Sequence, residues 1–143
     1  MIDLDELQAL LGPGAVPARR ALTGEAGIAM PAFTDHHVHL HLIDRSGLAA
    51  GGIAAVIDLG GDPASLARLP RAAVPRVTYA GAFLTAPGGY PIGRGWAPDA
   101  VSRSVTDASP DPGIAGGART RVDEQADAGA ALIKVALNAA AGP

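Results

Sequence analysis

Apolar positions along this chain fall into short runs separated by glycine, proline and acidic residues. Leu4, Leu7, Leu10 and Leu11 follow Asp3 at helical spacing, which predicts a short amphipathic helix over residues 4–11, capped by that aspartate and stopped at Gly12-Pro13-Gly14. Residues 15–27 have weak patterning and read as a connector. A strand is predicted from Ile28 through Phe33 to His37, with Pro31 interrupting its start, and residues 44–51 read as a short helix capped by Asp44. Gly52 to Asp58 is a continuous apolar run, the pattern of a strand covered on both faces in a parallel sheet. Asp62-Pro63 then starts a helix through Leu66 and Leu69, and Pro75 to Leu84 reads as a third strand. Thr85 to Gly117 is a long loop rich in glycine and proline, as functional loops often are. A polar helix over 118–128 ends at Gly129, and Ala131 to Leu137 reads as a fourth apolar strand.

Strands alternating with helices predict an α/β protein built from parallel βαβ units with right-handed crossovers. The pattern divides the chain into an N-terminal helix and connector, residues 1–27, and an α/β region, residues 28–143. The 143 residues suffice for one domain, and 48% apolar with only 3% aromatic side chains implies a core of Ala, Val, Leu and Ile. A net charge of −3 with scattered arginines offers no basic patch for nucleic acid. Without cysteine, any metal is left to nitrogen and oxygen ligands. The acidic start Met1-Ile2-Asp3-Leu4-Asp5-Glu6 is unlike a signal peptide, and no apolar run reaches the ~18 residues of a membrane span. The expectation is a cytoplasmic protein that binds neither membrane nor nucleic acid. No glycine-rich dinucleotide or phosphate loop is present.

Two features carry chemistry. All 4 histidines lie within Asp35-His36-His37-Val38-His39-Leu40-His41, and in a strand alternate side chains share a face, so His37 and His39 project together. Paired imidazoles at a strand end suit a metal ion. His36 faces the other way and is read as structural, and His41 as a loop residue. Asp35 is open between orienting the site and capping a turn, while Asp58, at the end of the second strand, reads as a turn cap. The other feature is Lys134, the one lysine beside ten arginines, in a composition typical of G+C-rich genomes where arginine supplies ordinary positive charge. Arginine keeps its proton, whereas a lysine amine can be neutralised by burial and act as nucleophile, base or carboxylated ligand. Leu132, Ile133, Val135, Ala136 and Leu137 give it apolar neighbours. The plain alternative is a lysine snorkelling from a strand end. Trp96 in the long loop is open between lining a pocket and anchoring the loop.

Met30-Pro31-Ala32-Phe33-Thr34-Asp35-His36-His37-Val38-His39 resembles the first-strand signature P-G-F-I-D-x-H-x-H of the metal-dependent amidohydrolase superfamily, with Ala32 for glycine and Thr34 for isoleucine. Gly52–Gly61 is similar to that family's second strand. Phe83 to Gly89 resembles the third-strand loop of its imidazolonepropionase-like and prolidase-like members, where Tyr90 replaces a frequent histidine, and Ala130–Leu137 is similar to the fourth strand. The resemblance implies a (β/α)₈ TIM-type barrel of typically ~250 residues, of which this chain would hold the first four βα units, a half barrel. It implies His37, His39 and a carboxylated Lys134 as ligands of one or two divalent ions, zinc first among them, which activate water and polarise a carbonyl. The implied reaction is hydrolysis of amide- or imide-type C–N bonds in a small molecule. No histidine follows His41, so the family's later ligands have no counterpart, and the chain, ending at 138–143 without a closing element, reads as the amino-terminal half of an enzyme. Such a half is expected to have weak or no activity alone and to self-associate or bind a complementary carboxyl-terminal half. The competing functions are a non-catalytic metal-binding or assembly module and a Schiff-base enzyme acting through Lys134.

Overall fold

The computed structural model describes residues 3–73 and 75–137, which group into two units, Met1–Phe33 and Thr34–Pro143. In the first unit Asp3 opens helix α1 (Leu4–Leu11). Its carboxylate accepts from the Asp5 and Glu6 amides and the Glu6 side chain returns to the Asp3 amide, satisfying donors that a helix start leaves unpaired. Gly12, at φ +87°, ends the helix. Residues 15–27, expected as a connector, instead contain most of a hairpin. Strands β1 (Val16–Arg19) and β2 (Ala26–Ala29) pair antiparallel with Val16 opposite Ala29. All of β1 is exposed, so no apolar face was there to mark its period in the sequence.

The second unit is built on parallel pairing. Strands β3 (Phe33–Val38), β4 (Ile53–Asp58) and β5 (Arg76–Tyr79) form one sheet in that order, with β4 and β5 parallel and Asp58 opposite Tyr79. Strands β6 (Phe83–Thr85), β7 (Ser102–Ser104) and β8 (Val135–Ala136) form another, β7 and β8 both parallel to the central β6. Val38, Leu40, Val56, Leu66 and Tyr79 make the core cluster, contributed by the first sheet and by helix α2 (Pro63–Ala67). Helix α3 (Ala118–Asp127) is fastened by two polar side chains. The Tyr79 hydroxyl donates to the Ala128 carbonyl at 2.6 Å, and the fully buried Gln125 accepts the Ala82 amide at 2.7 Å. Glu124 on the same helix pairs with Arg103 and Arg121. Burial would push its carboxyl up, but the hydrogen bonds and charges of both arginines outweigh that and hold it below the usual glutamate value.

The expected half barrel of four βα units is not what the chain forms. Its parallel strands fall in separate three-stranded sheets, and helices do not alternate regularly with them. A 3₁₀ turn (Arg45–Gly47) stands between β3 and β4, only the five residues of α2 between β4 and β5, and no helix between β5 and β6. The causes are local. Asp62 and Pro63 do start α2, with the carboxylate accepting from Ala64 and Ser65, but Pro70 follows closely and the segment is too short to lengthen. The run read as one strand over 75–84 is divided at Gly81, which takes φ +72°, a turn conformation that ends β5 and redirects β6. The polar Ser102-Arg103-Ser104 pairs as β7, which hydropathy alone does not reveal. The expected fourth strand shortens to Val135–Ala136, and residues 138–143, expected to lack a closing element, lie outside the described residues. Among the described residues no helix is long and apolar enough to cross a membrane.

Candidate metal centre

The carboxyl ends of β3, β4 and β5 are knitted by backbone bonds. The Leu59 amide donates to Val38, Ala80 to Asp58 and Gly61 to Gly81, at 3.0, 2.9 and 2.9 Å. Asp58 completes the seam. It has 0% exposure, and its carboxylate accepts the Leu40 amide at 2.7 Å and the Gly60 amide at 2.9 Å. A buried carboxylate is sustained by such donors, and here each lies next to the candidate ligand His39 or to a group that touches it.

His37 and His39 stand together at this rim, with ring centroids 5.3 Å apart and planes inclined by 76°. His39 is half-buried. Its Nδ1 lies 3.0 Å from the Gly60 carbonyl oxygen, and its ring stacks on Phe83 at 5.4 Å between centroids. A carbonyl accepts only from a protonated nitrogen, so Nδ1 carries the hydrogen, and in the neutral ring it is Nε2 that holds the lone pair. His37 is exposed, and its backbone amide donates to the Asp35 carboxylate at 2.9 Å, so Asp35 bonds the backbone of its own strand beside the site and caps no turn. Lys134 immediately precedes β8. The Leu84 amide donates to its carbonyl at 2.8 Å, and its Nζ lies 5.9 Å from the centre of the Phe83 ring. His37, His39 and Lys134 line one cavity of about 320 Å³, together with Phe83, Tyr90, Val135, Ala136 and Leu137.

Residues read from the sequence as candidate ligands thus converge, and the others stand apart. His36 is exposed. His41 lines a different cavity with Arg45 and Asp62, its ring 6.1 Å from that of His39 and 6.3 Å from Trp96. The Ser65 hydroxyl, opposed by partial burial and helped by the Ala64 and Ser65 amides, keeps the Asp62 carboxyl below its usual range, so that carboxylate is committed to capping α2. Trp96 packs against His39, Phe83 and Tyr90 at 5.8–6.1 Å between centroids and so both anchors its loop and backs the cavity wall. The Gly60 amide donates to Asp58 two residues back, as expected of a turn cap, but the sequence reading missed that carboxylate's second bond, to Leu40, and the roles of Gly60 and Phe83. The signal for Asp58 and Gly60 is the strand end Asp58-Leu59-Gly60-Gly61, where an acid and two glycines follow an apolar run, and none marks Phe83.

The donor set is compatible with a divalent ion. It comprises two imidazoles on one rim, one with its Nδ1 engaged by the Gly60 carbonyl, and an amine lining the same cavity. Among the described residues no group of three or more His, Cys, Asp or Glu that could hold a metal ion occurs. Compared with protein families, with curated proteins and with solved structures, the chain finds no significant match.

Proposed function

We propose that His37, His39 and Lys134 form a divalent-metal centre, zinc being the first choice, and that the protein is a metal-dependent hydrolase of amide- or imide-type C–N bonds. The observation that carries this reading is the meeting of the two rings with the chain's one lysine in a single cavity, although the segments are remote in sequence and lie in different sheets. When bound, the ion supplies Lewis acidity toward water and a carbonyl. The chain itself contributes orientation and an apolar lining. The Gly60 carbonyl sets the His39 tautomer, and Phe83, Val135 and Leu137 present apolar walls suited to a small uncharged substrate. Lys134 joins as an oxygen ligand by carboxylation, in which its unprotonated amine attacks carbon dioxide, a C–N bond forms and a proton passes to water. A cytoplasmic location, and a partner chain or second copy supplying further ligands, belong to the same proposal.

Metal analysis after loading with zinc or cobalt tests it. The wild type is expected to retain at least one ion per chain, His37→Ala/His39→Ala none, and Lys134→Ala to lose the increment that bicarbonate gives the wild type. A double variant with wild-type metal content would refute ligation. The absence of a three-residue acid and histidine cluster among the described residues favours a second reading, a metal-binding module without turnover. Assays of the loaded protein on uncharged chromogenic amides, alone and with added carboxyl-terminal fragments of hydrolases, separate the two.

A further inference from the structure

The two candidate histidines are not held alike. His39 is gripped on three sides, by the Gly60 carbonyl at Nδ1, by the face of Phe83 at 5.4 Å with planes 30° apart, and by Trp96 at 6.1 Å. His37 is exposed, and its ring meets only the edge of His39 among the aromatic contacts of the described residues. The parts that grip His39 are themselves fixed. Phe83 is 2% exposed and pairs through β6 with Ser102. The peptide that carries the Gly60 carbonyl is held from its other end, where the Gly61 amide donates to Gly81 at 2.9 Å, and the Gly60 amide is held by Asp58. Gly60 must also lack a side chain, since its φ is +155° and a Cβ there would overlap the Phe83 ring.

We propose that Gly60 and Phe83 act as a clamp that sets the His39 ring and tautomer before metal arrives, so that His39 is the anchoring ligand and His37 the one that adapts. Phe83 and Gly60 are then positioning residues for metal capture, a role that rests on the metal reading above. A ligand ordered in advance loses less freedom on binding, and outer partners of a metal-bound histidine typically change affinity by about 10–100-fold.

The test joins metal titration with ¹⁵N NMR of the histidine rings in metal-free protein. In the wild type His39 should show the single Nδ1–H tautomer while His37 averages between both. Phe83→Leu, which keeps an apolar core residue but removes the flat face, and Gly60→Ala should each weaken cobalt binding by about 10–100-fold. Both should bring His39 to tautomer averaging with far-ultraviolet circular dichroism unchanged. Because both act on one ring, the double variant should lose less than the product of the two effects. His39→Ala should lose more affinity than His37→Ala. Should Gly60→Ala fail to fold, Phe83→Leu carries the test. Wild-type affinity in Phe83→Leu, or a His39 ring that averages in the wild type, overturns the clamp. A wild type that takes up no metal ends the metal reading instead, and the NMR arm then decides the clamp alone.

Discussion

Replacing Asp58 by alanine is expected to be among the most damaging single changes to this fold. Its carboxylate is wholly buried and satisfies two backbone donors, the Leu40 amide at 2.7 Å and the Gly60 amide at 2.9 Å. Alanine leaves both without an acceptor, and both belong to buried residues. A buried unsatisfied donor costs about 1–3 kcal/mol, so the pair amounts to about 2–6 kcal/mol, a large share of the roughly 5–15 kcal/mol typical of a whole domain. With a urea dependence of about 2 kcal/mol per molar, the unfolding midpoint should fall by roughly 1–3 M. Asp58→Asn should lie between the wild type and alanine, because its amide oxygen can still accept one bond while its NH₂ opposes the other donor. Urea titration followed by circular dichroism and by fluorescence of the single tryptophan measures the effect, and hydrogen exchange at the Leu40 and Gly60 amides locates it. Asp44→Ala is the control. Asp44 also accepts from a backbone amide two residues on, but at an exposed 3₁₀ turn, and should barely move the midpoint. An Asp58→Ala midpoint indistinguishable from that of Asp44→Ala, or undiminished protection at Leu40 and Gly60, would refute the reasoning that burial gives these bonds their weight.

Tyr79→Phe removes the 2.6 Å bond to the Ala128 carbonyl and should destabilise the protein by about 1–2 kcal/mol in the same titration. Gly81→Ala places a side chain at φ +72° and against the Gln125 carbonyl oxygen that holds the Ala82 amide, for a loss of about 2–3 kcal/mol and a lower thermal midpoint. Glu124 is held below its ordinary value when folded, so its contribution is present above the unfolded value and is lost as pH falls through the folded one. Thermal midpoints should therefore decline through the acid range below about pH 4.5, and Glu124→Gln should flatten that decline. His41→Ala should leave metal content unchanged in elemental analysis, since His41 faces another cavity.

Strong local chemistry was legible before any coordinates. The Asp3 cap of α1, the Asp62-Pro63 start of α2 and the polar α3 segment ending at Gly129 follow from local residue preferences, and the structure has a helix at each. His37 and His39 were legible as neighbours from strand alternation, although β3 ends at Val38 and His39 follows it, and Lys134 because it is the one lysine of the chain. The half barrel was not sound. It extended a short first-strand signature into a regular alternation of strands and helices, and the turn at Gly81, the brief α2 and the exposed β1 broke that regularity without altering the hydropathy pattern.

What the sequence determined by itself is therefore a set of candidate donors, two imidazoles and an amine free of competition from other lysines or thiols, along with the caps that start two of its helices. Tertiary structure alone decided that β3 and the segment before β8 bring those donors to one cavity. It alone also assigned the Gly60 carbonyl, the Phe83 face and the Asp58 carboxylate to the support of His39. The division has a physical origin. Capping and strand alternation act over a few residues and leave a pattern in the chain, whereas a carbonyl's direction or the space a glycine leaves for a ring depends on segments that meet only after folding.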